Sequence, residues 1–234
     1  MCRILGITNF DYNTHFEILN NFIGLAETGN ILPNNTPGHT DGWGIGYYRN
    51  NKPVIIKSGN SILKEKEKAL NVLKKINKTG ALIFHLRKSA WKNTNSNTNS
   101  HPFACDKIIL GHNGTIYDYK KLLSLIKGGK KLGKSLDSEV YLRFICSNLK
   151  NNIVQVFSNS VKFIKQHNNH SSLTCIFSDG KKMYSFREYT RYPGYYTLYS
   201  IRINKSSIVC SEPVGDKLNW KVVKPGKLNI VNFG

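Results

Sequence analysis

The chain is short of acid. Its 234 residues carry 14 Asp and Glu against 34 Lys and Arg, a formal net charge of +20. It also lacks any apolar run near the roughly 20 residues that a membrane-spanning helix needs, so no membrane partner is expected. It opens straight into Cys2-Arg3 and then Asn9-Phe10-Asp11, without the apolar stretch of a secretory leader. The cysteines at 2, 105, 146, 175 and 210 fall at no paired spacing. An odd count without a leader points to reduced thiols and the cytoplasm. His101 with Cys105 is too sparse for a zinc site and no second ligand pair has metal spacing, so neither metal nor cofactor is expected. Internal repeats and dividing linkers are missing too, which leads to the expectation of a single domain over residues 1–234.

What is present is a core. The chain is 40% hydrophobic, enough for one large domain. The positive charge is spread over many segments and does not gather on one helix with interleaved aromatics. It therefore predicts no specific nucleic-acid site, only weak binding to polyanions that is indifferent to sequence and lost as salt rises.

Residues 3–8 read as a strand, and 16–26 as a helix with apolar positions at Phe16, Leu19, Phe22, Ile23 and Ala26. A loop over 31–41 is punctuated by Pro33, Pro37 and Gly38. Strands follow at 42–48 and 54–57, a charged amphipathic helix at 62–77, and a buried strand at 81–86 that delivers His85 and Arg87. Residues 88–100 form a polar loop rich in Asn and Thr. A strand at 107–110 runs into Gly111-His112-Asn113-Gly114, followed by a short helix at 118–126 and a Gly/Lys loop at 128–135. Helices at 137–149 and 153–165 precede strands at 173–178, 183–187, 196–203, 208–211 and 228–231. Strands, then helices, then strands suggest an α+β domain.

Several residues carry candidate chemistry. Cys2 becomes the N-terminal residue if Met1 is removed, and a side chain as small as that of Cys permits removal. A thiol and a free α-amine then share one residue, and the amine, with an ordinary pKa near 8, serves as a built-in base. From the first residues alone, a small apolar Cys in a buried strand is the commoner reading. The three alternate glycines of Gly42-Trp43-Gly44-Ile45-Gly46 do not spell a dinucleotide fingerprint, because no helix opens after them. They fit close approach of another backbone or a ligand. Asn113-Gly114 is by local chemistry a type I′ hairpin signal. Arg87 alone is a solvated charge, His101 a packed histidine, and Asp137 a helix cap.

In order, these segments resemble one family. Met1-Cys2-Arg3 with Leu5-Gly6, His39-x-Asp41-Gly42-Trp43-Gly44-Ile45-Gly46-Tyr47-Tyr48, His85-x-Arg87, Asn99-Ser100-His101-Pro102-Phe103, Gly111-His112-Asn113-Gly114 and Asp137-Ser138-Glu139 are similar to the class II glutamine amidotransferases. The resemblance is to the branch that carries the glutaminase domain alone. Ser211-Glu212-Pro213, Trp220 and Val223-x-Pro225-Gly226 extend it towards the C-terminus.

The resemblance implies a four-layer αββα sandwich of the N-terminal-nucleophile hydrolase type. It implies that Cys2 attacks the glutamine side-chain amide to form a γ-glutamyl thioester, with its α-amine as base. Asn113 and Gly114 are implied as the oxyanion hole, Arg87 as the partner of the substrate α-carboxylate, Asp137 of its α-ammonium, and His101 as a pocket wall. The family usually has a Thr three positions after this Arg, where Ala90 stands here. Two alternatives stay beside glutamine hydrolysis: cleavage of γ-glutamyl peptides or conjugates, and a catalytically lapsed basic binding subunit. Without a synthase domain, the resemblance points to a separate ammonia-accepting or complex-forming chain, and it leaves room for a homodimer.

Overall fold

The computed structural model describes residues 2–126, 129, 135–150 and 152–233. The Gly/Lys loop expected over 128–135 lies, but for its residues 129 and 135, outside them. The order of elements is β1 (Arg3–Asp11), α1 (Tyr12–Thr28), β2 (Trp43–Arg49), β3 (Lys52–Ser58), α2 (Lys66–Ile76), β4 (Lys78–Leu86), β5 (Phe103–Cys105), β6 (Ile108–Asn113), α3 (Lys120–Leu123), α4 (Asp137–Ser147), α5 (Ile153–His167), β7 (Thr174–Ser178), β8 (Lys182–Phe186), β9 (Tyr199–Ile203), β10 (Ser206–Cys210), β11 (Lys221–Val222) and β12 (Leu228–Asn232). No helix among the described residues is long and apolar enough to cross a membrane.

The strands form two antiparallel sheets. One has seven strands in the order β11-β9-β10-β1-β4-β2-β3, the other five in the order β12-β8-β7-β6-β5. The alternation within β1 explains the layering, because successive side chains of a strand point to opposite faces. Leu5 and Ile7 join Ile18, Leu19 and Phe22 of α1 and Leu70 and Leu73 of α2 in one core. Ile4 turns the other way and packs with Ile83, Ile109, Ile176, Met183 and Val209 between the sheets. On the far face of the five-stranded sheet, Leu110, Cys175 and Phe177 pack against Val140, Tyr141 and Phe144 of α4 and Phe157 and Ile164 of α5. This is the expected αββα sandwich.

Gly6 lets the two sheets approach. A Cβ there would come within 2.7 Å of Ile176 and 2.9 Å of Met183 on the opposite sheet. Such a contact must force the sheets apart, because interiors are packed to crystal density.

Several boundaries differ from the sequence reading. Asn113-Gly114 makes no hairpin. Neither residue has positive φ, which a type I′ turn requires at both central positions. Instead β6 runs through Asn113, which pairs with Thr174 of β7. The hairpin lies one strand earlier, at Asp106-Lys107 between β5 and β6, with Asp106 at φ 51°. Long-range pairing with β7 has overridden the local turn chemistry. Helix α2 starts four residues later than its apolar spacing suggests, and its N-cap Glu65 makes no side-chain cap. Strand β9 begins at Tyr199, not at residue 196. The Tyr196 N–H donates to Tyr192 O at 3.1 Å and its carbonyl accepts from Arg187 Nε at 2.8 Å, which takes its backbone out of the ladder.

Candidate active site

Cys2 lies at the head of β1, in the middle of the larger sheet, and is 7% exposed. Its neighbour Arg3 fixes it there. The buried Arg3 guanidinium donates through Nη1 to Cys2 O at 3.1 Å and through Nη2 to Asn30 O. Its Nε lies 2.8 Å from Glu212 Oε2. The Ile4 N–H donates to Ser211 Oγ at 2.9 Å. A first strand held on both sides does not fray, so the thiol position is well defined. Burial pushes the Cys2 thiol above its ordinary pKa, while the Arg87 and Arg3 charges work the other way.

The Cys2 backbone nitrogen donates to Asn113 Oδ1 at 3.0 Å. That bond joins the head of β1 to the end of β6 on the other sheet. Because the donor is an N–H, the Asn113 atom facing it must be the carbonyl oxygen. Nδ2 is thereby turned elsewhere, buried and without a partner among the described residues. A buried donor left unpaired is uncommon and calls for an explanation. Gly114 follows in tight quarters: a Cβ there would run into the Ser172 carbonyl oxygen and come within 2.6 Å of His112 Nε2. His112 lies 3.0 Å through Nε2 from Ser172 O and 2.8 Å through Nδ1 from Ser138 Oγ. A carbonyl cannot donate, so Nε2 carries the proton and Nδ1 accepts from Ser138. Burial holds the ring neutral, its pKa lowered to about 4. This bridge pins the start of α4 against the end of β6.

Arg87, 2% exposed, extends from the end of β4. Nη1 donates to Asp41 O at 3.3 Å and Thr94 O at 3.2 Å. Nη2 donates to Ser89 Oγ at 3.0 Å and Thr94 Oγ1 at 2.8 Å. Ser89 and Thr94 thus bring two hydroxyls to Arg87 beside Ala90, which has none. Asp137, the first residue of α4, accepts from the Ile116 N–H at 2.9 Å. It is not the cap: Leu136 holds that position. Burial raises Asp137 to about 6, against hydrogen bonds from Ile116 and the adjacent backbone. The Trp91 indole N–H approaches this carboxylate but misses hydrogen-bond geometry. His101 stacks on His85 with centroids 4.3 Å apart, and burial keeps both rings neutral.

Cys2, Arg87, His101, Gly114 and Asp137 line one cavity of about 20 Å³, and Asn113 joins it through its bond to Cys2. All six candidate residues therefore converge. Trp91, His112 and Ser138 also line it and were not singled out. His112 and its partner Ser138 belong to the Gly111-His112-Asn113-Gly114 and Asp137-Ser138-Glu139 motifs, while its other partner, Ser172, carries no local signal. A cleft of about 780 Å³ adjoins this cavity and shares Ser89, Ala90 and Thr115 with it. Away from the site, Cys105, Asp106 and Cys146 bring two thiols and a carboxylate within 4.8 Å. The Arg143 guanidinium lies 3.5 Å from Cys105 Sγ, a fixed positive charge where a metal ion would have to sit.

The family model for class II glutamine amidotransferases matches residues 1–202, and the chain belongs to that family, which acts on the side-chain amide of glutamine. An uncharacterised protein of Methanocaldococcus jannaschii is 28% identical over 200 residues, 81% of this chain and 51% of that protein. The chain thus spans about half the length of this relative. Among solved structures, a glutamine aminotransferase class-II domain protein from Silicibacter pomeroyi superimposes with a TM-score of 0.68 at 18% identity, covering 99% of this chain and 95% of its own. The glutamine phosphoribosylpyrophosphate amidotransferase of B. subtilis gives 0.68 at 17% identity, covering 99% of this chain and 47% of its own. At these identities the likeness is one of fold.

Proposed function

We propose that the chain hydrolyses the side-chain amide of glutamine, or a related γ-glutamyl amide, with Cys2 as an N-terminal nucleophile. The observation that carries this reading is the Cys2 N to Asn113 Oδ1 bond at 3.0 Å, which leaves Asn113 Nδ2 a buried donor with no partner among the described residues.

After Met1 removal, one N–H of the neutral α-amine still serves Asn113 Oδ1, and its lone pair takes the thiol proton. The thiolate attacks the amide carbon. Asn113 Nδ2 and the Gly114 N–H receive the oxygen as it gains charge, each such donor being worth about 2.7–4 kcal/mol in the transition state. The α-amine passes its proton to the departing nitrogen, the C–N bond breaks, and a γ-glutamyl thioester remains. The amine then deprotonates a water that hydrolyses the thioester, returning glutamate and the thiol.

The cavity of about 20 Å³ is too small for glutamine, and the Arg87 guanidinium is held by the 89–95 loop. Arg87 Nη1 also donates to Asn95 Oδ1 at 3.4 Å, so binding exchanges Thr94 and Asn95 for the substrate carboxylate, and Trp91 for its ammonium at Asp137. A carboxylate suits the planar Arg fork better than these neutral acceptors do.

The pH profile checks the Asp137 role. Protonation of the Cys2 α-amine, ordinarily near pH 8, already lowers kcat/KM on the acid side, and Asp137 binds an ammonium only when ionised, so the fall steepens from about tenfold to about a hundredfold per unit as pH drops below about 6. Asp137→Asn removes the steeper part, leaves the tenfold limb of the amine, and raises KM throughout, by about 2–4 kcal/mol in binding. A limb that still steepens below about pH 6 in Asp137→Asn would assign that titration to another group.

Intact mass before and after treatment with a diazo-ketone analogue of glutamine tests the whole reading. The expected result is a chain lacking Met1 that gains one adduct, mapped to Cys2. A chain that keeps Met1 and takes up no adduct would overturn it.

A further inference from the structure

Ammonia is about the size of a water molecule, whose share of liquid volume is about 30 Å³, and it needs no cavity of its own to depart. The cleft of about 780 Å³ beside the Cys2 cavity falls within the range of ligand pockets. The wall common to the two is built from Ser89, Ala90 and Thr115, small side chains that leave room for a chain to pass. Ala90, at the family's usual Thr position, is one of them.

The cleft has a definite chemistry. None of its lining residues is acidic, while Lys165, His170 and Arg191 all face it. Glu188, buried behind the lining, lies 3.5 Å from Lys165 Nζ and 3.2 Å from His170 Nε2. Burial works against charge on His170, yet Glu188 outweighs it and holds the ring above its ordinary pKa. One carboxylate thus serves both Lys165 and His170. Arg191 is exposed, and among the described residues no carboxylate pairs with it. Two exposed aromatic rings complete the surface, Tyr117 at 56% and Tyr192 at 48%. Tyr192 is held at φ 58°, with its carbonyl accepting from Tyr195 N at 3.0 Å and Tyr196 N at 3.1 Å. Bulky residues rarely adopt that backbone region, and where they do it is often at a functional site.

We propose that this cleft is a subsite for the leaving amine of a γ-glutamyl amide, and that the amine carries an anionic group held by Arg191 and Lys165 beside Tyr117 and Tyr192. The inference rests on the reading of Cys2 as nucleophile toward γ-glutamyl amides. The overall step balances without a further reactant: the amide C–N bond breaks, water supplies the acid oxygen, and its protons are shared between the thiol cycle and the released amine. A carboxylate and a phosphate offer the same recognition, so both enter the test.

Kinetics with γ-glutamylglycine, γ-glutamyl-phosphoethanolamine and the neutral γ-glutamylethylamide read the subsite. The expected result is a kcat/KM about tenfold higher for at least one anionic amide than for the neutral one. In Arg191→Ala that preference collapses, chiefly through KM, and Arg191→Lys restores part of it. The better anionic substrate tells carboxylate from phosphate. Equal cleavage of all three by the wild type, or the same preference in Arg191→Ala, would overturn the proposal. Binding of the three amides to Cys2→Ala, measured by calorimetry, separates the two readings. Anion preference there without turnover in the wild type would remove the nucleophile reading and keep the subsite. Turnover without anion preference would remove the subsite alone.

Discussion

Cys2→Ala abolishes amide hydrolysis and leaves the fold in place. The thiol is the only group that the substitution deletes, and its one polar contact is to Lys88 O at 3.6 Å, at the edge of what sulfur can donate across. Arg3 and Ser211 hold the strand head through main-chain atoms and Glu212 pairs with the Arg3 guanidinium; none of these contacts involves the thiol, and they survive. Deleting a nucleophile that acts with its base as a unit lowers kcat by on the order of 10⁴-fold or more. Cys2→Ser keeps little activity, because an amine with a pKa near 8 removes a proton from a hydroxyl far less readily than from a thiol. Ammonia release alongside circular dichroism and thermal unfolding measures both halves of the expectation. Full activity in Cys2→Ala would end the mechanism.

Asn113→Ala lowers kcat by about 10²–10³-fold with KM changed little, as loss of one oxyanion donor does. Asn113 does two things: Oδ1 accepts from Cys2 N, and Nδ2 is the free donor. Asn113→Asp separates them, since it keeps an acceptor for Cys2 N and puts a repelling oxygen where Nδ2 was. A loss at least as large as in Asn113→Ala assigns the effect to the donor. An Asp variant with near-normal kcat would assign it to the positioning of Cys2, and a change confined to KM would remove Asn113 from the oxyanion role.

The layers of this molecule were legible because they follow local periodicity. Apolar spacing marked α1: Leu19, Phe22, Ile23 and Ala26 are buried, while Phe16 at the same spacing is 41% exposed. The run from Ile4 to Ile7 marked a strand buried on both faces, and it lies between a helix layer and a second sheet. The shortest strands escaped notice. Three-residue β5 and two-residue β11 contain too few residues for a period to show, and each exists because a neighbouring strand offers it hydrogen bonds.

By itself the sequence determined the family, through motifs whose order along the chain survives folding, and with it the residues that converge on one cavity. Only the tertiary structure decided what those residues do to one another. The Cys2 to Asn113 bond spans 111 positions, and it exists because two sheets pack face to face across Gly6. That packing turned Asn113-Gly114 from a hairpin signal into a strand end with an unpaired donor. It closed the 89–95 loop over Arg87, and it opened beside the nucleophile a basic, aromatic cleft. The lining of that cleft comes from segments as far apart as Leu32 and Tyr196. Periodicity reports which face of an element is buried; which faces meet is set by packing between elements distant in sequence, and the chemistry of the site belongs to those meetings.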